Sequence, residues 1–249
     1  EYKYKAEDPN FPEIPKITPG ESQPDSERVS SFVYPGGILA VHSKGRGKDA
    51  IWSALKNKNV YGTSGPRILL WFDLINSSQG KLPMGSEITM SQNPKFIVRA
   101  AGSFKQNAGC STESIDSLSP DRLDYLCAGE CYNPSNERRN IEKIEIIKIT
   151  PQIYAGESVT PLIQDPWMTI PCNGQAECIA EFDDQNYTRD SIYYVRAIQE
   201  PTLAINGSIL KDRIEFNLCK GSFRTDLKDD CLSMTNERAW SSPIYVNKP

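Results

Sequence analysis

Between residues 67 and 246 the chain repeats one pattern: a short run rich in β-branched and aromatic residues, then a polar turn. The runs are RILLWFDL (67–74), KFIVRAAG (95–102), IEKIEIIKIT (141–150), CIAEF (178–182), SIYYVRAIQ (191–199), RIEFNL (213–218) and SPIYV (242–246). Such residues favour extended backbone, because a crowded Cβ packs well on a pleated surface and loses rotamer freedom in a helix. Several runs alternate with period two. In 141–150, Lys143, Glu145 and Lys148 stand against Ile144, Ile146 and Ile149, with one slip at Ile147. Turn clusters NSSQG (76–80), QDP (164–166) and NGS (206–208) punctuate them. Seven runs without helical periodicity between them predict a mainly β chain, an antiparallel β-sandwich over 66–249. The long polar stretch 103–140 reads as an excursion from that sandwich.

The first 65 residues differ. Pro9, Pro12, Pro15, Pro19, Pro24 and Pro35 break up any helix or central strand, so 1–35 reads as an extended arm. GGILAVH (36–42) is a short apolar run between glycines and a polar loop, like a buried strand. SKGRGKD (43–49) is a basic glycine-rich loop, and DAIWSALKNKN (49–59) carries a helical stripe of Ala50, Ile51, Ala54 and Leu55. Asp49 is its expected N-cap, and Lys56 and Lys58 fall near the end where the helix dipole favours cations. Strand, loop and helix make half of a βαβ unit.

All seven cysteines (110, 127, 131, 172, 178, 219 and 231) lie in the C-terminal part. CAGEC (127–131), CNGQAEC (172–178) and the Cys219/Cys231 pair lack the Cys-x-x-Cys spacing of zinc sites and suit small disulfide loops. The expected pairs are Cys172–Cys178 and Cys219–Cys231, with Cys110 joined to Cys127 or Cys131 and one cysteine left over. Disulfides imply an oxidising location, periplasmic, secreted or cell-surface.

Charge and histidine count exclude several classes. A net charge of −4 gives no attractive field for nucleic acid or an anionic membrane. No apolar stretch is long enough to span a bilayer. With one histidine, His42, the chain builds no imidazole-rich metal centre and no Ser-His-Asp triad on a strained elbow. No metal ligands are assigned within it. It opens at Glu1 without an apolar signal segment, which reads as processing or truncation.

The strand-to-helix turn is the leading chemical candidate. His42 stands at the carboxyl end of a strand; Lys44, Arg46 and Lys48 follow, beside the free N–H groups of a helix start. Together they suit a phosphate, sulfate or carboxylate next to an imidazole. The plain alternative is a histidine bonded to a backbone carbonyl and a solvated basic loop. In YGTSGPR (61–67), Thr63, Ser64 and Arg67 offer an oxyanion grip between glycines, or else a tight connector. The acidic stretches 183–190 and 226–230 miss the calcium-loop spacing and read as solvated loops. Trp167, Tyr193, Tyr194 and Trp240 are aromatic candidates for sugar stacking, with core packing as the commoner fate. Asn76, Asn186 and Asn206 head N-x-Ser/Thr sequons.

GGILAVHSKGRGKDAIWSALKNKNVYGTSGPRILLWFDL (36–74), LPMGS (82–86), IEIIKI (144–149), YYVRAIQEPT (193–202) and ERAWSSPIY (237–245) resemble the C-terminal portion of an uncharacterised bacterial domain-of-unknown-function family. Its members are often exported, and their upstream half is similar to the polymerase-and-histidinol-phosphatase (PHP) metallohydrolases. The resemblance implies a distorted α/β barrel carrying His, Asp and Glu metal ligands upstream, then a β-sandwich. Residues 36–65 would be the barrel's last strand and helix. His42, the candidate catalytic residue, would lie near its metals without ligating them, and His42, Arg46 and Arg67 would take cationic or hydrogen-bonding roles toward the oxyanion. No cofactor falls within this chain; a divalent Zn, Fe or Mn is implied for the upstream segment of the same precursor.

The expectation is therefore the C-terminal chain of a secreted metal-dependent hydrolase, such as a phosphoesterase, inactive alone. It would supply a structural sandwich and the residues that rim a small ester or phosphoester substrate. The alternative is a non-catalytic module of an exported protein that binds carbohydrate or a protein partner.

Overall fold

The computed structural model describes residues 36–127, 131–205 and 232–249. The chain is mainly β, in two facing sheets with one long hairpin excursion. The smaller sheet has the order β11-β6-β3-β4, all antiparallel: β3 (Leu69–Ser77), β4 (Gly80–Pro83), β6 (Lys95–Ala101) and β11 (Glu177–Asp183). The NSSQG cluster makes the β3–β4 turn, where Gly80 takes φ +86°.

The larger, eight-stranded sheet is built around β12 (Ser191–Ile205). One edge of β12 pairs with β9 (Ile141–Ile149), which in turn pairs with β10 (Ile163–Gln175). Its other edge is shared by β13 (Leu232–Ser241) and β14 (Ile244–Asn247). From β13 the sheet continues to β2 (Val60–Thr63) and ends at β1 (Ile38–Val41). A short β5 (Glu87–Thr89) runs parallel to β14.

Alternation decides what is inside. Leu70, Phe72 and Leu74 from β3 and Phe96, Val98 and Ala100 from β6 are fully buried against Ile144, Ile146, Tyr193, Val195 and Ala197 of the larger sheet. The aromatic rings lock the two sheets. Phe72, Phe96 and Phe182 stack, and Phe96 meets Tyr193 across the interface at 4.7 Å. Trp167 packs edge-on against Phe182. Tyr193 and Trp167 are thus spent on the core.

The apparent slip in β9 is absent. Its register against β12 is continuous from Ile144 to Ile149, so Ile144, Ile146 and Lys148 all face inward while Lys143, Glu145 and Ile147 lie on the opposite face, where Ile147 is itself fully buried. Lys148 ends the inward row as a buried ammonium. It is neutralised by the buried Asp184 carboxylate, which also accepts from the Tyr193 hydroxyl at 2.5 Å and the Asn186 amide at 3.0 Å.

Two further expectations are corrected by geometry. The QDP cluster is not a turn between strands but lies inside β10, at a register break between Gln164 and Met168. β10 is an edge strand, where prolines cost no ladder hydrogen bond on the open side. The first helix, α1, spans Lys48–Lys56, and Gly47 rather than Asp49 is its N-cap. Asp49 sits in the first turn instead, where its charge still suits the dipole.

β1 pairs antiparallel with β2 and prolongs the large sheet as its edge. Among the described residues it has no parallel neighbour, so these residues do not display a barrel strand. The excursion is a hairpin of β7 (Phe104–Ala108) and β8 (Tyr132–Arg138) with α2 (Thr112–Ser117) and α3 (Pro120–Cys127) between them. Gly102 starts it: a Cβ there would overlap the Arg139 carbonyl, so only glycine fits. The expected strand 213–218, the sequon at Asn206, the acidic stretch 226–230 and the Cys219/Cys231 pair lie outside the described residues.

Candidate functional site

The β1-to-α1 turn is held from below. Ser43 Oγ donates to the Gly45 carbonyl at 2.6 Å, and the His42 amide donates to the Asn59 carbonyl at 2.9 Å. His42 then reaches under the turn: its Nε2 lies 2.8 Å from the Leu70 carbonyl of β3. A carbonyl only accepts, so Nε2 carries the proton and the ring is tied to the small sheet. The imidazole also lies 5.3 Å from the Tyr61 ring and 5.8 Å from that of Trp71. Burial pushes the Tyr61 phenol up.

Above the turn is a shallow cavity of about 360 Å³ lined by Val41, Ser43, Lys44, Gly45, Arg46 and Ile51. Lys44, Arg46 and Lys48 are exposed and make no salt bridge among the described residues. Gly47 brings no capping side chain, so the first N–H groups of α1 also stay open. Asp49 stands on the same first turn and opposes an anion there. The structure therefore brings Lys44 and Arg46 together at one cavity. It leaves Lys48 beside it and His42 beneath it, outside the lining.

The YGTSGPR residues are engaged elsewhere. Thr63 is buried, and its Oγ1 accepts from the Gly65 amide at 3.3 Å. Ser64 Oγ donates to the Glu237 carboxylate and accepts from the Arg238 amide at 2.9 Å, joining β2 to β13. Arg67 is exposed. This segment behaves as a connector; only Arg67 keeps a free head group among the described contacts.

Sequence reasoning missed a second cavity. About 460 Å³ opens beyond the other end of α1, lined in part by Asn57, Lys58, Asn59, Gly85 and Glu87. Lys58 turns the chain there with φ +57°, its ammonium 4.9 Å above the Tyr245 ring. A left-handed residue after the helix end is common, but it is usually glycine, so a lysine there gives no sequence signal.

The cysteines fall into two groups. Cys172 and Cys178 face each other across the β10–β11 turn, Cα atoms 5.5 Å apart and sulfurs in bonding geometry. Cys110, Cys127 and Cys131 converge at the base of the excursion, all three sulfurs within 4.8 Å of one another.

The His, Asp and Glu ligand set that the resemblance implies has no counterpart among the described residues. Among the described residues the three-cysteine cluster is the one group of potential ligands close enough to share an ion, and it holds neither imidazole nor carboxylate. The sole histidine spends Nε2 on Leu70. No helix of the described residues is long and apolar enough to cross a membrane.

Residues 6–108 match a family described as a protein of unknown function, DUF3604. Within the described residues the match runs from β1 through the basic loop, α1 and strands β2 to β6 to the end of β7. It supports kinship with an uncharacterised domain family. No curated protein and no solved structure matches the chain.

Proposed function

We propose that this chain is the accessory part of an exported metal-dependent hydrolase, by preference a phosphoesterase. It contributes a sandwich scaffold and an anion-gripping rim, while the metal ligands come from elsewhere. The observation that carries the reading is the pairing of Lys44 and Arg46 at one open cavity, without acidic partners among the described residues. Unpaired cations on a glycine-bearing turn suit a phosphoryl or carboxylate oxygen better than a neutral ligand. His42 acts on this reading as a positioning residue: it fastens the turn to β3 through the Leu70 carbonyl. Arg46 offers two donors to one oxyanion, and Lys44 a point charge. Neither forms or breaks a bond, so the chain alone turns nothing over.

The exposed apolar side chains beside the cavity support the same reading. Ile51 lines it, and Ile38 and Leu39 of β1 and Trp52 of α1 are exposed on the same two elements, without cover among the described residues. A rim that meets a catalytic body has this composition, apolar contact area next to a charged mouth.

An amide-resolved NMR titration of the chain with inorganic phosphate tests the proposal. Shifts should concentrate in 43–49 and weaken by about tenfold in apparent affinity in the Lys44→Ala, Arg46→Ala variant. Shifts spread over the surface, or unchanged in the variant, would leave the non-catalytic binding module as the better account.

A further inference from the structure

Three sulfurs meet at the base of the excursion, and three is the number that matters. Cys110 follows β7, Cys127 ends α3, and Cys131 immediately precedes β8. All three are half-buried, and Cys110 Sγ lies 3.2 Å from Cys127 Sγ. A sulfur in a disulfide is divalent, so three of them make one disulfide and leave a third sulfur with no partner among the described residues. Cys131 is placed to be the shared partner. Its Cα lies 5.0 Å from that of Cys110 and 5.2 Å from that of Cys127, and both separations fall within the range a disulfide bridges. The Gly109 amide donates to the Cys131 carbonyl at 2.8 Å, which keeps Cys110 and Cys131 side by side whichever partner is bonded.

We propose that Cys110, Cys127 and Cys131 form a thiol–disulfide exchange triad, in which Cys131 alternates between two partners and the displaced cysteine is a site of S-thiolation by small disulfides. In the internal step the Cys110 thiolate attacks Cys131 Sγ of the Cys127–Cys131 disulfide. The Cys110–Cys131 bond forms, the Cys127–Cys131 bond breaks, and Cys127 leaves as a thiolate and takes up a proton. No electrons are gained or lost, and the reverse step is the same chemistry. In the external step the displaced thiolate attacks a disulfide R–S–S–R, gains one S–R group and releases one R–S⁻.

The two pairings differ in what they tie down. Cys110–Cys131 closes a span of 21 residues that contains both helices of the excursion, whereas Cys127–Cys131 closes a span of four. The longer loop removes more disorder from the unbonded chain. Neither α2 nor α3 buries a residue, so little besides the sulfur chemistry holds them. Partner exchange would thus switch the helical excursion between a closed and a loosely tethered base.

The test uses the whole chain purified without reductant, quenched in acid, unfolded, labelled with N-ethylmaleimide and mapped by peptide mass. One label per cluster is expected, divided between Cys110 and Cys127, with Cys131 unlabelled. Prior incubation with oxidised glutathione should place one glutathione on the same two positions. Cys110→Ser and Cys127→Ser should each lower labelling at the cluster by about tenfold, since the remaining two sulfurs then pair. The wild-type division needs no variant and stands if a variant misfolds. Label confined to one of the two positions overturns the alternation. Label on none would mean that the third sulfur is bonded elsewhere. Label on all three, suppressed by added Zn²⁺, would mean a metal site; both results overturn the proposal.

Discussion

The sandwich and the β1–α1 unit carry similar apolar side chains and treat them in opposite ways. In the sandwich, Phe72, Phe96, Ile144 and Tyr193 are wholly excluded from solvent. In the β1–α1 unit, Leu39 and Trp52 each keep 59% of their surface exposed, and Ala54 is the one buried residue of the helix. Both regions show a clean hydrophobic stripe in the sequence. The difference lies in whether a facing layer exists among the described residues. A stripe states that a surface is apolar; it does not state what covers it. The buried stripes account for stability, and the exposed stripe, beside two cations without acidic partners among the described residues, is where association is to be sought.

The contrast predicts its own largest effect. Phe96 touches Phe72, Phe182 and Tyr193, so Phe96→Ala opens a cavity between the sheets. A loss of about 3–5 kcal/mol is expected in urea unfolding. A loss below about 1 kcal/mol would mean that the two sheets are not packed as one core.

How far the sequence reveals this molecule follows from the same distinction. β3, β6 and β11 of the small sheet and β9 and β12 of the large one were readable as strands because one face of each is apolar and the period is two, whereas β4 and β13 were not. β10 was not: Asp165, Pro166, Pro171 and Gly174 interrupt its pattern, and only its place at a sheet edge makes them tolerable. β9 was half-readable. Lys148 seemed to belong with the outward Lys143 and Glu145, because a sequence does not show that Asp184, 36 residues away, will meet it. At the candidate site, the strand, basic loop and helix were legible from glycines and charge. That His42 would spend Nε2 on Leu70, and Ser64 its hydroxyl on Glu237, was not, since both partners lie far along the chain.

A second prediction sharpens the comparison at the edge of the sandwich. Tyr187 is buried, and its hydroxyl has no hydrogen-bond partner among the described residues. Burial, then the Asp190 and Asp184 carboxylates, push its pKa up to about 12. An unfolded tyrosine titrates near 10, so between about pH 10 and 12 the folded chain keeps a proton that the unfolded chain gives up. This contribution is complete below pH 10 and is lost as pH rises through 12. Tyr187→Phe should flatten the fall in stability across that window by about 1–2 kcal/mol. At neutral pH it should be neutral or slightly stabilising, because it removes an unsatisfied hydroxyl. An unaltered alkaline profile would place the titration elsewhere, for which the buried Tyr193, also pushed up, is the next residue to replace.

The smallest stability effect belongs to the exposed stripe. Trp52→Ala removes a ring that is largely exposed among the described residues, with the Lys56 ammonium 5.6 Å from the ring centre. Alanine is the better helix former, which offsets the loss of that exposed cation–π contact, of about 0.5 kcal/mol. The net change in urea unfolding of this chain should therefore stay within about 0.5 kcal/mol, several times less than at Phe96. Trp52 bears the larger aromatic side chain of the two, so residue size cannot explain the ratio; only the presence or absence of a facing layer can. A Trp52→Ala loss close to that of Phe96→Ala would show that something in the chain already covers the stripe, and an apolar rim held open for a catalytic body would then have no place in this molecule.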